Sequence, residues 1–374
     1  MDFKSHKIKE LNIIDVKPGM ILAEEVRSPK GQIIAEKDSM LTAQQLLHMT
    51  FYAIGSLKVY EVEPKQLEVI LDEQAPDDFI GETQSWRITN SPEFKEFVKA
   101  YEDCADKLEN VITNFVETRA LVHDDSLVED IRNVFTRHST GLGIMAMLLN
   151  VQGIDTSTYA HSVNVAIISR VFGGWLGITD PTELDVLTMA GLYHDIGKSL
   201  IPNEILEKPG PLTDEEFTRM TEHPMLGYYI LGNAGLDKRI KLACLQHHER
   251  GDGSGYPYGS TKEFIEDYSM IVAIADVYDA MTADRCYRAG ICPFEVIAQF
   301  QREPAEKYRP DFLSVFLDRI AEAYIGAGVL LSDNTRGVIS MINKDDLSSP
   351  LVKIDDDSFV DLSKRRDLYI KAVI

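Results

Sequence analysis

Seven side chains able to bind a metal, running from His161 to Asp276, constrain this chain more than any other feature. They are His161, the His194-Asp195 pair, His223, the His247-His248 pair and Asp276. Taken singly, each histidine reads as an ordinary core or surface residue. As a set they read as a metal site, because imidazole nitrogen with carboxylate oxygen suits zinc, iron or manganese and no cysteine cluster lies nearby. The set is too large for one tetrahedral zinc. It suits two ions sharing a bridging carboxylate, the arrangement that clamps a phosphoryl group. No His-x-x-x-His pair offers two ligands from one helical face, so several elements must converge and the site depends on the whole fold.

Charge narrows the partners. The 374 residues carry 60 acids against 38 bases, a formal net charge of −22. Affinity for a nucleic-acid polymer comes mainly from clustered Lys and Arg, so no such partner is expected. An anionic small molecule stays compatible if metal ions and a few bases reverse the local field. Cys104, Cys244, Cys286 and Cys292 show no C-x-x-C spacing and read as free thiols of a reducing compartment. The first residues hold no apolar signal segment, and the run from Gly141 to Ile154 is too short to span a bilayer. A cytoplasmic protein with no membrane partner is expected.

Along the chain, residues 1–72 read as a small α+β accessory or sensory module. Met20 to Val26 and Gln32 to Ala35 read as strands joined through Ser28-Pro29-Lys30-Gly31, and Leu57 to Val62 as another. Thr42 and Gln45 make a capping box for a short helix, while His6 and His48 are isolated and read as surface or packing residues. Residues 73–126 read as a linker and a connecting helix. Its stripe (Phe94, Phe97, Val98, Tyr101, Leu108, Val111, Ile112, Phe115) reads either as core or, over 92–122, as a contact forming a homo-oligomer. Residues 127–326 are almost wholly helical in pattern, with Asp180-Pro181 and a Thr213/Glu216 capping box as helix starts. Residues 327–374 carry short strand-like runs and read as a β-meander. The expected class is mainly α: a helical bundle with a small N-terminal α+β module and a short C-terminal β-meander.

His194-Asp-Ile-Gly-Lys198, Ile201 to Gly210, His223-Pro224, His247-His-Glu-Arg-Gly-Asp-Gly-Ser-Gly-Tyr-Pro257 and Asp276 to Arg288, in that order, closely resemble the HD-GYP family. The likeness covers roughly residues 127–326. It implies a bacterial cyclic di-GMP phosphodiesterase with two iron or manganese ions in an all-α HD fold. Carried over, His161, His194, Asp195 and Asp276 would hold one ion, and Asp195, His223, His247 and His248 the other, with Asp195 bridging. Lys198, three residues past Asp195, would meet a phosphate, as would Arg285 and Arg288. Tyr256 would contact or stack on a base. Glu249 or Asp279 would orient the metal-bound imidazoles.

The sequence departs from the family at two positions. Ser157 stands where some members carry a glutamate for a third ion, which implies two ions here. Gly251 replaces the usual aromatic residue in one pocket wall. The implied reaction opens cyclic di-GMP to the linear dinucleotide pGpG, with slow or no onward cleavage to GMP. Water activated between two ions would attack phosphorus in line, while Lys198, Arg285 and Arg288 offset charge on the phosphoryl oxygens. Two alternatives stand beside it: a phosphohydrolase of the broader HD group acting on another nucleotide, and a non-catalytic cyclic-dinucleotide sensor or scaffold.

Overall fold

In the computed structural model, described residues are 83–374 except 122–125, 136–139, 152–157, 207, 209, 233, 284–289 and 356. Of the first 82, they are 7–13, 16, 20–27, 33–35, 37, 41, 49, 54 and 56–61. Ser157, Arg285, Arg288, Cys286, His6, His48 and the Thr42/Gln45 capping box lie outside them. The chain divides into two compact units, Met1–Glu82 and Thr83–Ile374.

In the first unit, β1 (Lys7–Asn12) pairs antiparallel with β4 (Ser56–Glu61), and β2 (Val26–Arg27) pairs with β3 (Ile33–Ala35). Leu22, Val26, Leu41, Met49, Leu57 and Val59 share a small apolar core. The pairing of β2 with β3 is the expected one. The partner of β4 is β1, which the sequence reading did not assign to a strand.

The second unit opens with α1 (Gln84–Thr89) and α2 (Pro92–Thr118). The Ser91 hydroxyl accepts the Phe94 N–H and Pro92 takes the first helical position, where its missing donor costs nothing. The stripe of α2 is spent inside this unit: Phe94, Phe97, Tyr101, Cys104, Leu108 and Phe115 are buried. Helices α3 (Ser126–Val134) and α4 (Gly141–Val151) lead to α5 (Thr158–Trp175), whose residues from Ala160 to Phe172 are buried on all sides. Tyr101 donates its hydroxyl to Asn164 Oδ1 at 2.8 Å, pinning α2 beside His161.

Helix α6 (Pro181–Tyr193) begins as its sequence predicts, with Asp180 accepting the Thr182 N–H at 2.9 Å and Pro181 following. It lies against α5 at Gly191, where an added Cβ would stand 2.6 Å from Ala166 Cα. A 3-10 turn (Ile196–Leu200), α7 (Asn203–Leu206), α8 (Asp214–Met220), α9 (His223–Leu231), α10 (Lys238–Gln246) and α11 (Asp267–Thr282) follow. The Thr213/Glu216 capping box opens α8. Helices α12 (Pro293–Arg302) and α13 (Pro310–Ala323) complete the helical part.

The last residues form one antiparallel sheet of β5 (Gly328–Leu331), β6 (Arg336–Met341), β7 (Leu351–Lys353), β8 (Phe359–Asp361) and β9 (Ile370–Val373), in the order β8-β7-β6-β5-β9. Strands β5 to β8 are the expected meander, and β9 returns to the far side of β5. Val329, Leu331, Ile339, Val352 and Ile370 share the core of the helices, so sheet and bundle are one hydrophobic unit. Among the described residues, no helix is long and apolar enough to cross a membrane, and Cys104, Cys244 and Cys292 are free thiols.

Candidate metal centre

Helix ends build this site. His194 is the C-terminal cap of α6, His247 that of α10, and His223 opens α9 directly after α8. The last carbonyls of a helix lack intrahelical partners and accept from side chains nearby. His194 Nδ1 donates to Gly191 O at 2.7 Å, His223 Nδ1 to Met220 O at 2.8 Å and His247 Nδ1 to Cys244 O at 2.9 Å. In each case the acceptor lies three residues earlier. A carbonyl only accepts, so Nδ1 carries the hydrogen and each Nε2 faces inward, where a neutral ring offers a lone pair.

His161, from α5, is held differently: its Nδ1 is 2.7 Å from Asp279 Oδ2, on α11. Its Nε2 faces Asp276 Oδ1 at 3.1 Å and Asp195 Oδ2 at 3.8 Å. Burial opposes charge on His161, but hydrogen bonds to Asp276 and Asp279 outweigh it and raise its pKa to about 9. A cation at Nε2 would take the place of that proton. Burial lowers His247 to about 4 and holds His248 well below its ordinary value, so both rings stay neutral, as ligands must.

Asp195 stands between two groups. Its Oδ2 lies 3.4 Å from His194 Nε2 and 3.8 Å from His161 Nε2. Its Oδ1 lies 3.2 Å from His223 Nε2 and 3.6 Å from His247 Nε2. Asp195, His223, His247 and His248 can each bring one ligand atom within 4.8 Å of the others, and so can His161, His194 and Asp195, and His194, His247 and Asp276. Burial alone would raise the Asp195 pKa, yet Lys198 and His194 outweigh it and keep the carboxylate ionised. Lys198, on the 3-10 turn, places its ammonium on Asp195 Oδ2.

Two buried atoms here have no hydrogen-bond partner: His194 Nε2 and Asp195 Oδ1. Leaving such groups unpaired costs about 1–3 kcal/mol each, more when charged. Cations on the two sides of Asp195 would satisfy both, so the residues present fit divalent ions.

Glycines set how closely the ligand-bearing segments approach. A Cβ on Gly197 would meet His223 O at 1.9 Å, and one on Gly227 would meet Cys244 Sγ at 2.3 Å. The loop after His248 folds back on itself, with Gly255 so close that a Cβ would stand 2.4 Å from His248 O. Tyr256 thereby stacks on the His248 ring, 4.6 Å between centroids. Phe217 of α8, which sequence reasoning did not single out, meets Tyr256 edge-on at 6.4 Å and extends the aromatic wall.

Of the two acids expected to orient imidazoles, Asp279 is in place behind His161 and Glu249 is not. The buried Glu249 carboxylate instead accepts the backbone N–H groups of Tyr258 and Ser260, both at 2.8 Å, and clamps the loop that carries Tyr256. The three carbonyls that take over the orienting role carry no side-chain signature; their only trace is the histidine's place at a helix boundary.

Residues 150–312 match the HD domain family. A cyclic di-GMP phosphodiesterase of Pseudomonas aeruginosa is 36% identical over 237 residues, 62% of this chain and 55% of that protein. The cyclic di-GMP phosphodiesterase response regulator RpfG of Xanthomonas campestris pv. campestris is 36% identical over 177 residues, 46% of either chain. A 3'3'-cGAMP-specific phosphodiesterase of Vibrio cholerae is 35% identical over 163 residues, 43% of this chain and 38% of that one. The chain spans about half the length of the curated relatives it matches.

Proposed function

We propose, from the premise that this chain carries an HD domain and is related to cyclic di-GMP phosphodiesterases, that it hydrolyses cyclic di-GMP to linear pGpG. The observation that carries the reading is Asp195, whose two oxygens face two different sets of imidazoles. A carboxylate so placed could serve two ions; ligand type suits zinc, iron or manganese, and the family resemblance favours the last two. His161, His194, Asp195 and Asp276 would hold one, and Asp195, His223, His247 and His248 the other. Bound divalent ions supply Lewis acidity at phosphoryl oxygens and a hydroxide from water near neutral pH.

The remaining work falls to the chain. The Nδ1 hydrogen bonds fix the rings of His161, His194, His223 and His247 before substrate arrives, so these need no reorientation during reaction. Lys198 is a quarter exposed and can turn from Asp195 towards a phosphoryl oxygen; Arg285 and Arg288 are assigned the same task on sequence alone. Tyr256, backed by His248, offers a face to a purine base. With Ser157 in place of a third acidic ligand, the linear product, with its extra terminal phosphate charge, is held poorly in so acidic a protein and leaves before onward cleavage to GMP.

A chromatographic time course with purified, metal-assayed protein tests this. Linear dinucleotide should accumulate well ahead of GMP. GMP appearing as fast would end the product argument, and Ser157→Glu should raise GMP formation only if a third ion also binds. Faster turnover of 3'3'-cGAMP would favour the second reading, supported by the Vibrio cholerae relative. Full metal occupancy without turnover of either would favour a cyclic-dinucleotide sensor.

A further inference from the structure

The rings around Asp195 are oriented by two kinds of acceptor. His223 and His247 give their Nδ1 hydrogens to neutral carbonyls, as does His194. His161 alone is shown giving its own to a carboxylate, that of the buried Asp279. We propose that Asp279 is a positioning residue that makes the two ion positions unequal: the one at His161, His194 and Asp276 fills first and empties last.

This inference rests on the two-ion reading above. A full negative charge behind an imidazole makes its far nitrogen a stronger donor than a carbonyl dipole does, and it locks the ring. The Asp279 side chain is 1% exposed, so water screens its charge little. The same position has Asp276 beside its share of Asp195, with Asp276 Oδ1 3.1 Å from His161 Nε2 and 3.8 Å from His194 Nε2. The other position has Asp195 Oδ1, with His223 and His247 backed by neutral carbonyls. Lys198 acts in the opposite sense, since its ammonium sits on Asp195 Oδ2, the oxygen facing the first position. Its side chain is 25% exposed and flexible, so its charge is screened more than that of Asp279 and weighs less.

Titrating Mn(II) into metal-stripped full-length protein, with bound ion counted by calorimetry and electron paramagnetic resonance, tests the assignment. Wild type should bind in two separable steps. Asp279→Asn should weaken the tighter step roughly tenfold to a hundredfold and leave the weaker one unchanged. His248→Gln should do the reverse, removing only the weaker step. Asp279→Glu, which keeps the charge, should recover part of the tight step, and it guards against reading a folding defect as a metal effect. Equal weakening of both steps by Asp279→Asn, or a glutamate variant no better than the asparagine one, overturns the proposal. A wild-type chain that binds fewer than two ions overturns the two-ion reading itself. Two ions with a tight step indifferent to Asp279 overturn only the role given to Asp279.

Discussion

The Nε2 atoms of His223 and His247 stand 3.3 Å apart, and each ring has already given its Nδ1 hydrogen to a backbone carbonyl. In the neutral state that metal ligation requires, two imidazole lone pairs face each other beside the unpaired Asp195 Oδ1. Without a cation that arrangement is repulsive, and with one it is a ligand set.

Asp195→Ala follows directly. It removes the carboxylate whose two oxygens face the two groups of imidazoles. The variant should lose at least one ion per chain together with its activity, read by elemental analysis and a turnover assay. Unaltered metal content with full turnover would contradict the shared role of Asp195.

Lys198→Ala should separate phosphate binding from metal binding. A charge-assisted contact to a phosphoryl oxygen is worth about 1.5–3 kcal/mol, so kcat/KM should fall roughly tenfold to a hundredfold at constant metal content. Arg285→Ala is expected to behave alike. Kinetics equal to wild type in either variant would remove that residue from the substrate pocket.

Gly197→Ala should damage the fold where the 3-10 turn meets α9. The new Cβ would stand 1.9 Å from His223 O and 2.6 Å from Gly227 N, both backbone atoms that cannot swing aside. Overpacking of this kind costs about 1–3 kcal/mol, and here it displaces a ligand as well. The urea midpoint should drop and metal content fall. Gly174→Ala is the control, because nothing lies within 4 Å of its Cβ. A midpoint for Gly197→Ala matching this control would show that the contact yields cheaply.

Much of this could be read in advance, for identifiable reasons. Asp180-Pro181 and Thr213/Glu216 act within one helical turn, so local spacing sufficed to place the starts of α6 and α8. The seven residues that converge on the candidate metal centre were legible because their side chains are unusual for a core. What escaped depends on chain segments far apart in sequence or on backbone atoms. The pairing of β9 with β5 joins residues across the whole sheet, and β1 finds β4 across most of the first unit. Glu249 was assigned to an imidazole because it follows His248, yet the fold of the loop brings the Tyr258 and Ser260 amides to it instead.

Glu249→Gln should loosen that loop without touching the ions. One amide oxygen would still accept, but the new NH2 group would face a backbone N–H that has lost its acceptor. A hydrogen bond to a charged acceptor is worth about 1.5–3 kcal/mol, so amide exchange at Tyr258 and Ser260 should speed up roughly tenfold to a hundredfold. KM for the cyclic dinucleotide should rise as Tyr256 loses its support on His248. Unchanged exchange at both amides would show that the clamp lies elsewhere.

Acid sensitivity should trace in part to Asp185, far from the metal ligands in type and partner. It accepts Arg132 Nε and Arg170 Nη1, each at 2.9 Å, and Arg170 is itself buried and also donates to Thr188. Burial pushes the Asp185 pKa up, but hydrogen bonds from Arg132 and Arg170 outweigh it and hold it below the ordinary 3.8. A carboxylate depressed in the folded state binds fewer protons there than in the unfolded chain. Its contribution is therefore fully present above pH 3.8 and is lost as pH falls through the lower folded value. Asp185→Asn should cost about 1–2 kcal/mol near neutrality once solvent screening is allowed for, because it leaves the Arg170 charge buried without its counter-ion. The gap between wild type and variant should then narrow as pH drops below 3.8, which a series of urea midpoints would reveal. A gap that stays constant down to acid unfolding would mean that Asp185 keeps an ordinary pKa and contributes by packing alone.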